Sequence, residues 1–351
     1  MRGVFDGWRG LGWFWGLVVL ACASVAGTLA LMGPPGPPLP AHAPVVAPTP
    51  APHAVARPEG HDPASPTVAA RGNKPGRDVP GPVNDPDPAL LEYIAGSTTD
   101  ALPRVAGDGR LPMRHYATGF DPTTTRPRVG LLIAGFGLGV ADSKRAIANL
   151  PREVTFAISP YTDNPEPLLA SARLAGHEYV LSLPMEPLRF PENDPGPRAL
   201  MTNLSAQQNQ PRLRWVLSRL QGYAGVTAVL GALKGERLAD MPEQMESIMA
   251  ELDRRGLMYV PALGQAAPVP HVWSKAVDIV IDESAAATDI DSRLAGLETM
   301  ARERGSALGL AVSPRPVTVE RVAEWTSALL NRGLILAPVS ALMLPPEDKP
   351  K

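Results

Sequence analysis

The sequence predicts an α/β barrel of seven to eight parallel strands, carried behind a transmembrane helix and a Pro-rich tether. Three observations predict it. An uncharged run, "LGWFWGLVVLACASVAGTLALM", fills residues 11–32, and proline-dense sequence without hydrophobic periodicity follows. From residue 128 onward, short apolar runs alternate with amphipathic stretches. That alternation is the mark of strand–helix units whose parallel sheet is covered by helices. Seven or eight such strands in roughly 225 residues suit a barrel better than an open sheet.

Residues 1–10 form a short N-terminus with Arg2 and Arg9, and no lysine or arginine follows until Arg57. The positive-inside rule keeps this end in the cytoplasm and sends the rest across the bacterial inner membrane to the periplasm. The run Leu11–Met32 has about the 20 residues a span needs and is too long for a typical signal-peptide core. Trp8, Trp13 and Trp15 suit a membrane interface. A signal cleaved near "ACA" is the alternative. The single cysteine, Cys22, lies inside this run, so neither a disulfide framework nor a thiolate metal site can form within one chain.

Residues 33–87 read as a disordered linker. The chain holds 41 prolines, far above the roughly 5% of an average protein. Most of the excess lies before residue 100. Such a segment extends by about 3.1 Å per residue and cannot offset the entropy of ordering. Leucines and aromatics return from Pro88, predicting an arm over 88–127 that packs on the domain at 128–344; residues 345–351 form a tail.

Within 128–344 the strand candidates are "VGLLIA", "VTFAIS", "EYVLSL", "AGVTAVL", "LMYVPA", "VDIVID", "ALGLAVS" and "LILAPV". Helical stretches between them include "ADSKRAIANL", "PEPLLASARLAG", "QPRLRWVLSRLQG", "PEQMESIMAELDRRG" and "VERVAEWTSALLNRG". The last two carry apolar residues at i, i+3, i+4 and i+7, with Gly256 and Gly333 as stops.

Reactive groups in such folds sit at the carboxyl ends of the strands. Those ends hold Ala134 and Gly135, Ser159, Ser182, Val229, Val260 with Pro261, Asp282, and Ser313. Asp282 alone is ionisable, whereas a metal hydrolase needs about three His or carboxylate ligands. Histidine cannot supply them. Three of the six (His42, His53, His61) lie in the tether, His115 precedes the first strand, His177 begins a strand at the wrong end, and His271 sits in a loop. "GFGLGV" places Val140 where a dinucleotide fingerprint needs its third glycine. Neither Ser182 nor Ser313 lies in G-x-S-x-G. No metal and no cofactor is therefore expected. A net charge of −2 argues against nucleic acid.

The segments "LPREVTFAISPY", "AGHEYVLSLPMEP", "NDPGPRALMTNLS", "GYAGVTAVLGA" and "VTVERVAEW…GLILAPVSAL" together resemble the divergent polysaccharide deacetylase family. The likeness spans about residues 88–344, and it implies an irregular (β/α) barrel and carbohydrate chemistry. Active relatives carry an Asp-Asp pair after the first strand, where this chain has Ala134 and Gly135. A histidine before "LPMEP" becomes Ser182. The family's N-H-M-G-S becomes "AVLGA", with Val229 and Ala232 in the histidine and serine places. D-S-R becomes Val260, Pro261 and Ala262, and G-H-P becomes Val312, Ser313 and Pro314. Glu186, within Pro184-Met185-Glu186-Pro187, and Asp282 remain at the family's groove, which Tyr161, Asn164, Ser182, Met185 and Ser313 could also line.

Two functions compete. One is a non-catalytic, membrane-anchored module that binds a cell-envelope glycan or an envelope protein. The other is a carbohydrate N-deacetylase or hydrolase using Glu186 and Asp282 as a carboxylate pair. The first is preferred, because neutral side chains do not replace a metal-bound hydroxide.

Overall fold

A computed structural model of the chain describes residues 76–346, apart from 79–80, 98–99 and 266. The predicted span Leu11–Met32 and most of the tether lie outside the described residues. Among those described, no helix is long and apolar enough to cross a membrane.

The arm comes first. A two-stranded antiparallel ladder joins β1 (Leu91–Tyr93) to β2 (Ala101–Pro103), and a short helix, α1 (Pro112–His115), follows. Two buried arginines fasten the arm to the domain. Arg255 donates to Glu92 and to the Pro103 carbonyl (3.2 and 2.8 Å), and Arg173 donates to Asp85 (3.0 Å). Packed backbone begins earlier than the predicted boundary at Pro88. The Gly76 amide bonds the Met113 carbonyl, Arg77 pairs with Gly119, and Val83 is buried. Asn84 explains part of this early order, because its amide holds the His115 carbonyl at 2.8 Å.

The domain alternates strand and helix as predicted. Its elements are β3 (Arg128–Phe136), α2 (Val140–Asn149), β4 (Thr155–Ile158), α3 (Glu166–Ala175), β5 (Tyr179–Ser182), α4 (Ala206–Ser218), β6 (Gly225–Thr227), α5 (Glu236–Ala239), α6 (Pro242–Arg254), β7 (Met258–Val260), β8 (Ile279–Val280), α7 (Ala287–Arg304), β9 (Ser306–Ala311), α8 (Pro316–Ala328) and β10 (Ile335–Leu336). Apart from half-buried β10 and the first residues of β3 and β9, the strands are mainly apolar runs buried on both faces. The predicted helix list omits α7, whose weak amphipathic pattern hides it. Helix α4 starts ahead of its predicted stretch because Ser205 and Gln208 form a capping box.

Seven parallel strands make one curled layer in the order β7-β6-β5-β4-β3-β9-β8. All eight predicted strands form, but the ring is a half-barrel rather than a closed one. β7 and β8 do not pair; an irregular stretch fills the seam, bridging Tyr259 to Ser274 and Ser274 to Leu344. The eighth strand, β10, stands off the path. It pairs with the start of β3 through Ile335↔Arg128 and Leu336↔Val129, while β4 takes the end of the same edge from Leu132 to Phe136. β9 occupies the opposite edge from Arg128 to Ile133.

Candidate functional site

The tip of β3 is a bulge. Ile133 pairs with Phe156, but the next pair is Phe136 with Ile158, so Ala134 and Gly135 crowd one extra residue into β3. Gly135 absorbs the kink at φ +67°, and a Cβ there would lie 3.1 Å from the Val312 carbonyl oxygen. The corner is thus filled by the backbone of the β9 tip. Ala134 is fully buried and offers no ligand atom. Beyond it, Gly137 (φ +91°) lies so close to Thr162 that any side chain would collide with it.

The neighbouring tips are equally closed. Ser182 is buried opposite Thr227, whose hydroxyl donates to the Val260 carbonyl at 2.9 Å. Val229 is buried, and the stretch around Gly231 and exposed Ala232 is a tight turn closed by reciprocal Leu230–Leu233 bonds of 2.9 and 3.0 Å. Val260 and Ala262 are buried as well, and Ser313 is half-buried beside Gly135.

Glu186 and Asp282 each serve as cross-links. Glu186 Oε2 accepts from the Thr202 amide and hydroxyl (2.7 and 2.8 Å), and Oε1 pairs with Arg237 at 2.9 Å. Its backbone also pairs with Leu200 and Leu238, so the carboxylate ties the loop after β5 to α5. Met185 is packed under Gly235, where a Cβ would come within 2.5 Å of it. Asp282 Oδ1 accepts from the Val312 amide at 2.7 Å and Oδ2 from Thr318 at 3.2 Å. Burial raises its pKa against the pull of those bonds and of Arg315. The two carboxylates share no bonding partner, and no bond joins them.

Whether these tips could hold the metal of a deacetylase can be judged from their donors. Two buried carboxylates already engaged by amides, hydroxyls and an arginine, with serines and apolar side chains between them, do not fit a divalent ion. Among the described residues, no group of three His, Cys, Asp or Glu side chains converges. His177 lies at the base, its Nδ1 2.9 Å from the Val154 carbonyl, and burial lowers its pKa. His271 pairs with Glu246 at 2.8 Å in an exposed loop.

Tyr161 and Asn164 follow β4. Asn164 is exposed at φ +41°. Tyr161 packs 5.8 Å from Trp215 of α4, its hydroxyl accepts from the Arg198 amide, and Gly196 (φ +101°) lies flat on its ring. The Asp194 carboxylate caps the Gly196 amide at 2.8 Å, which explains the spacing of "NDPGP". The guanidinium groups of Arg198 and Arg219 stand 5.7 and 5.3 Å from the Trp215 ring. Of this cluster the sequence-derived site held only Tyr161; Trp215, Arg198 and Arg219 are absent from it, although "RLRWVLSR" places Arg219 near the tryptophan. An open cavity of about 720 Å³ lies beyond the β8 tip, lined by Ile281, Glu283, Ser284, Asp289, Ser292 and Arg293. None of the predicted groove residues lines it.

A half-barrel of parallel strands with its mouth at the carboxyl tips is the architecture of the deacetylase superfamily. The model of the divergent polysaccharide deacetylase family matches residues 131–343, and the chain belongs to that family. It is similar to the uncharacterized protein YibQ of Escherichia coli K12, with 21% identity over 63% of this chain and 68% of that one. An uncharacterized protein of Haemophilus influenzae is 25% identical over 54% of this chain and 65% of its own length. The crystal structure of an uncharacterized protein from Agrobacterium tumefaciens C58 superposes with a TM-score of 0.63 at 29% identity, covering 69% of this chain and 99% of that one.

Proposed function

We propose that the chain is a non-catalytic, deacetylase-like module of the bacterial cell envelope. In this reading Leu11–Met32 anchors it in the inner membrane, the half-barrel stands in the periplasm, and its mouth binds an envelope glycan or an envelope protein. The observation that carries the reading is the bonding at the strand tips. Glu186 and Asp282 hold loops together through separate partners, and the β3 corner is filled by the β9 backbone. A carboxylate pair able to cleave a substrate bond would have to face it together.

The test is acetate release from chitin and peptidoglycan oligomers by the full-length protein, with zinc, cobalt or manganese added. No turnover is expected. Metal-dependent turnover abolished by Glu186→Ala or Asp282→Ala would overturn the reading. Alkaline phosphatase fused after Lys351 should be active; a stable but inactive fusion would overturn the periplasmic placement.

A further inference from the structure

We propose that the flank of the mouth where the β4 tip meets α4 binds an anionic glycan, one bearing carboxylate or phosphate groups, through Arg198 and Arg219 arranged around Trp215 and Tyr161. The proposal rests on the glycan-binding reading above and narrows it to one face and one ligand chemistry.

Half-buried Tyr161 and Trp215 form an adjoining aromatic pair with their planes tilted by 36°. Two guanidinium groups stand against the Trp215 ring; that of Arg219 is tethered by a hydrogen bond, and Arg198 is held through its backbone. The Arg198 amide donates to the Tyr161 hydroxyl at 3.3 Å, and Arg219 Nε donates to the Pro160 carbonyl at 3.3 Å. Arg212 bonds the Pro197 and Ala199 carbonyls (3.2 and 2.7 Å), fixing the loop that carries Arg198. The Arg219 guanidinium, held by an aromatic ring and a carbonyl, has little freedom still to lose on binding, and Arg198 stands on a fixed backbone against the same ring.

The electrostatics point outward. Arg198 and Arg219 are exposed and Arg212 is half-buried, and none of the three makes an ion pair with a carboxylate among the described residues. Elsewhere on the surface arginines are commonly paired, as Arg145 is with Asp142, Arg189 with Glu192 and Arg254 with Glu251. Asp194 faces Tyr161, but it caps the Gly196 amide and offsets one charge of three. Unpaired, oriented guanidinium forks match carboxylate and phosphate oxygens. The half-buried rings, with Gly196 on Tyr161 and the guanidinium groups on Trp215, add apolar edges beside the charges, against which a rigid sugar ring can rest and a flexible acidic peptide gains less. An acidic saccharide uses both features.

The test is calorimetric titration of the full-length chain in nonionic detergent with three probes: hexagalacturonate, neutral chitohexaose and hexaglutamate. Hexagalacturonate should bind at least about tenfold tighter than either of the others and weaken as salt rises. Arg198→Gln/Arg219→Gln should lower its affinity by about tenfold or more, with Trp215→Leu acting in the same direction. The equally exposed pair Arg145→Gln/Arg254→Gln should change it less than about twofold. Preference for hexaglutamate, or equal loss in both arginine pairs, overturns the proposal. Chitohexaose binding that survives Arg198→Gln/Arg219→Gln, without hexagalacturonate binding, overturns it and leaves the glycan-binding reading standing. Binding of neither saccharide overturns both.

Discussion

Glu178 shows what a single residue of the "AGHEYVLSLPMEP" motif does. Its carboxylate is fully buried and takes four bonds: Thr155 and the Ser340 amide on Oε1 (both 2.9 Å), and the Thr118 amide and Ser340 hydroxyl on Oε2 (2.9 and 2.6 Å). It therefore joins the arm, two strands and the last turn at the base of the half-barrel. An amide in its place offers only one acceptor oxygen, leaving donors facing donors. Glu178→Gln should cost about 2–4 kcal/mol in denaturant unfolding; a cost under about 1 kcal/mol would refute the latch. His177, beside it, is held neutral, with burial lowering its pKa from the ordinary 6.5. A base whose pKa falls on folding takes up protons more readily when unfolded. Its contribution is intact above 6.5 and is lost as pH falls through and below that value. Stability should drop between about pH 7.5 and 5.5, and His177→Gln should flatten that slope; equal slopes would exclude His177 as the cause. The sequence places His177 at the base correctly. It hides Glu178, because a charged residue at a strand start reads as solvent-facing until Thr118 and Ser340 are seen to converge on it.

At the scale of elements, the glycine stops at Gly256 and Gly333 were read from the sequence, whereas the start of α4 and the strand irregularities were not. The capping box of α4 follows from Ser205 and Gln208 three residues apart, and Ser205→Ala should lower stability by about 1 kcal/mol. The β3 bulge is different. Nothing local marks Ala134–Gly135 as an inserted residue, since the apolar run is continuous through it. Gly135→Ala would force a side chain into the left-handed region against the Val312 carbonyl. We expect a loss of about 1–2 kcal/mol or more, read from thermal or denaturant midpoints. A neutral result would mean the bulge relaxes. The site divides likewise. Asp282 stood out by its strand-end position and Glu186 only through the family resemblance, but their bonds to Val312 and Thr202 are made to segments distant in sequence. The Tyr161–Trp215 contact depends on the tilt of α4, which periodicity does not specify.

For the whole molecule, strand number and order of appearance were readable from hydrophobic runs, while closure was not. "LILAPV" looks like any other buried strand, yet β4 already occupies the upper part of the β3 edge, so β10 completes the lower part instead. The seam between β7 and β8 follows from the two-residue length of β8, which the longer apolar run "VDIVID" overstates. Because the arm is bonded to Arg173, Arg255 and Glu178, removing residues 1–75 should leave the thermal midpoint within about 2 °C, and removing 1–127 should prevent stable folding by taking away the arm's partners of these three buried charges and uncovering the apolar surface beneath it. A large drop for the shorter deletion would show that the preceding segment packs on the domain.

The shared edge of β3 also sets a schedule for biogenesis. Parts of a chain can settle as they emerge, but the first strand of this sheet stays half unzipped until Ile335 and Leu336 arrive from the far end. The Glu178 latch waits on Ser340 as well. A ribosome that stops at codon 334 would release a chain holding nearly every helix yet lacking its fastening, with an open sheet edge at its centre. Such a fragment should be cleared by proteases where the finished protein persists, so the last few per cent of translation acts as a checkpoint on whether the product survives.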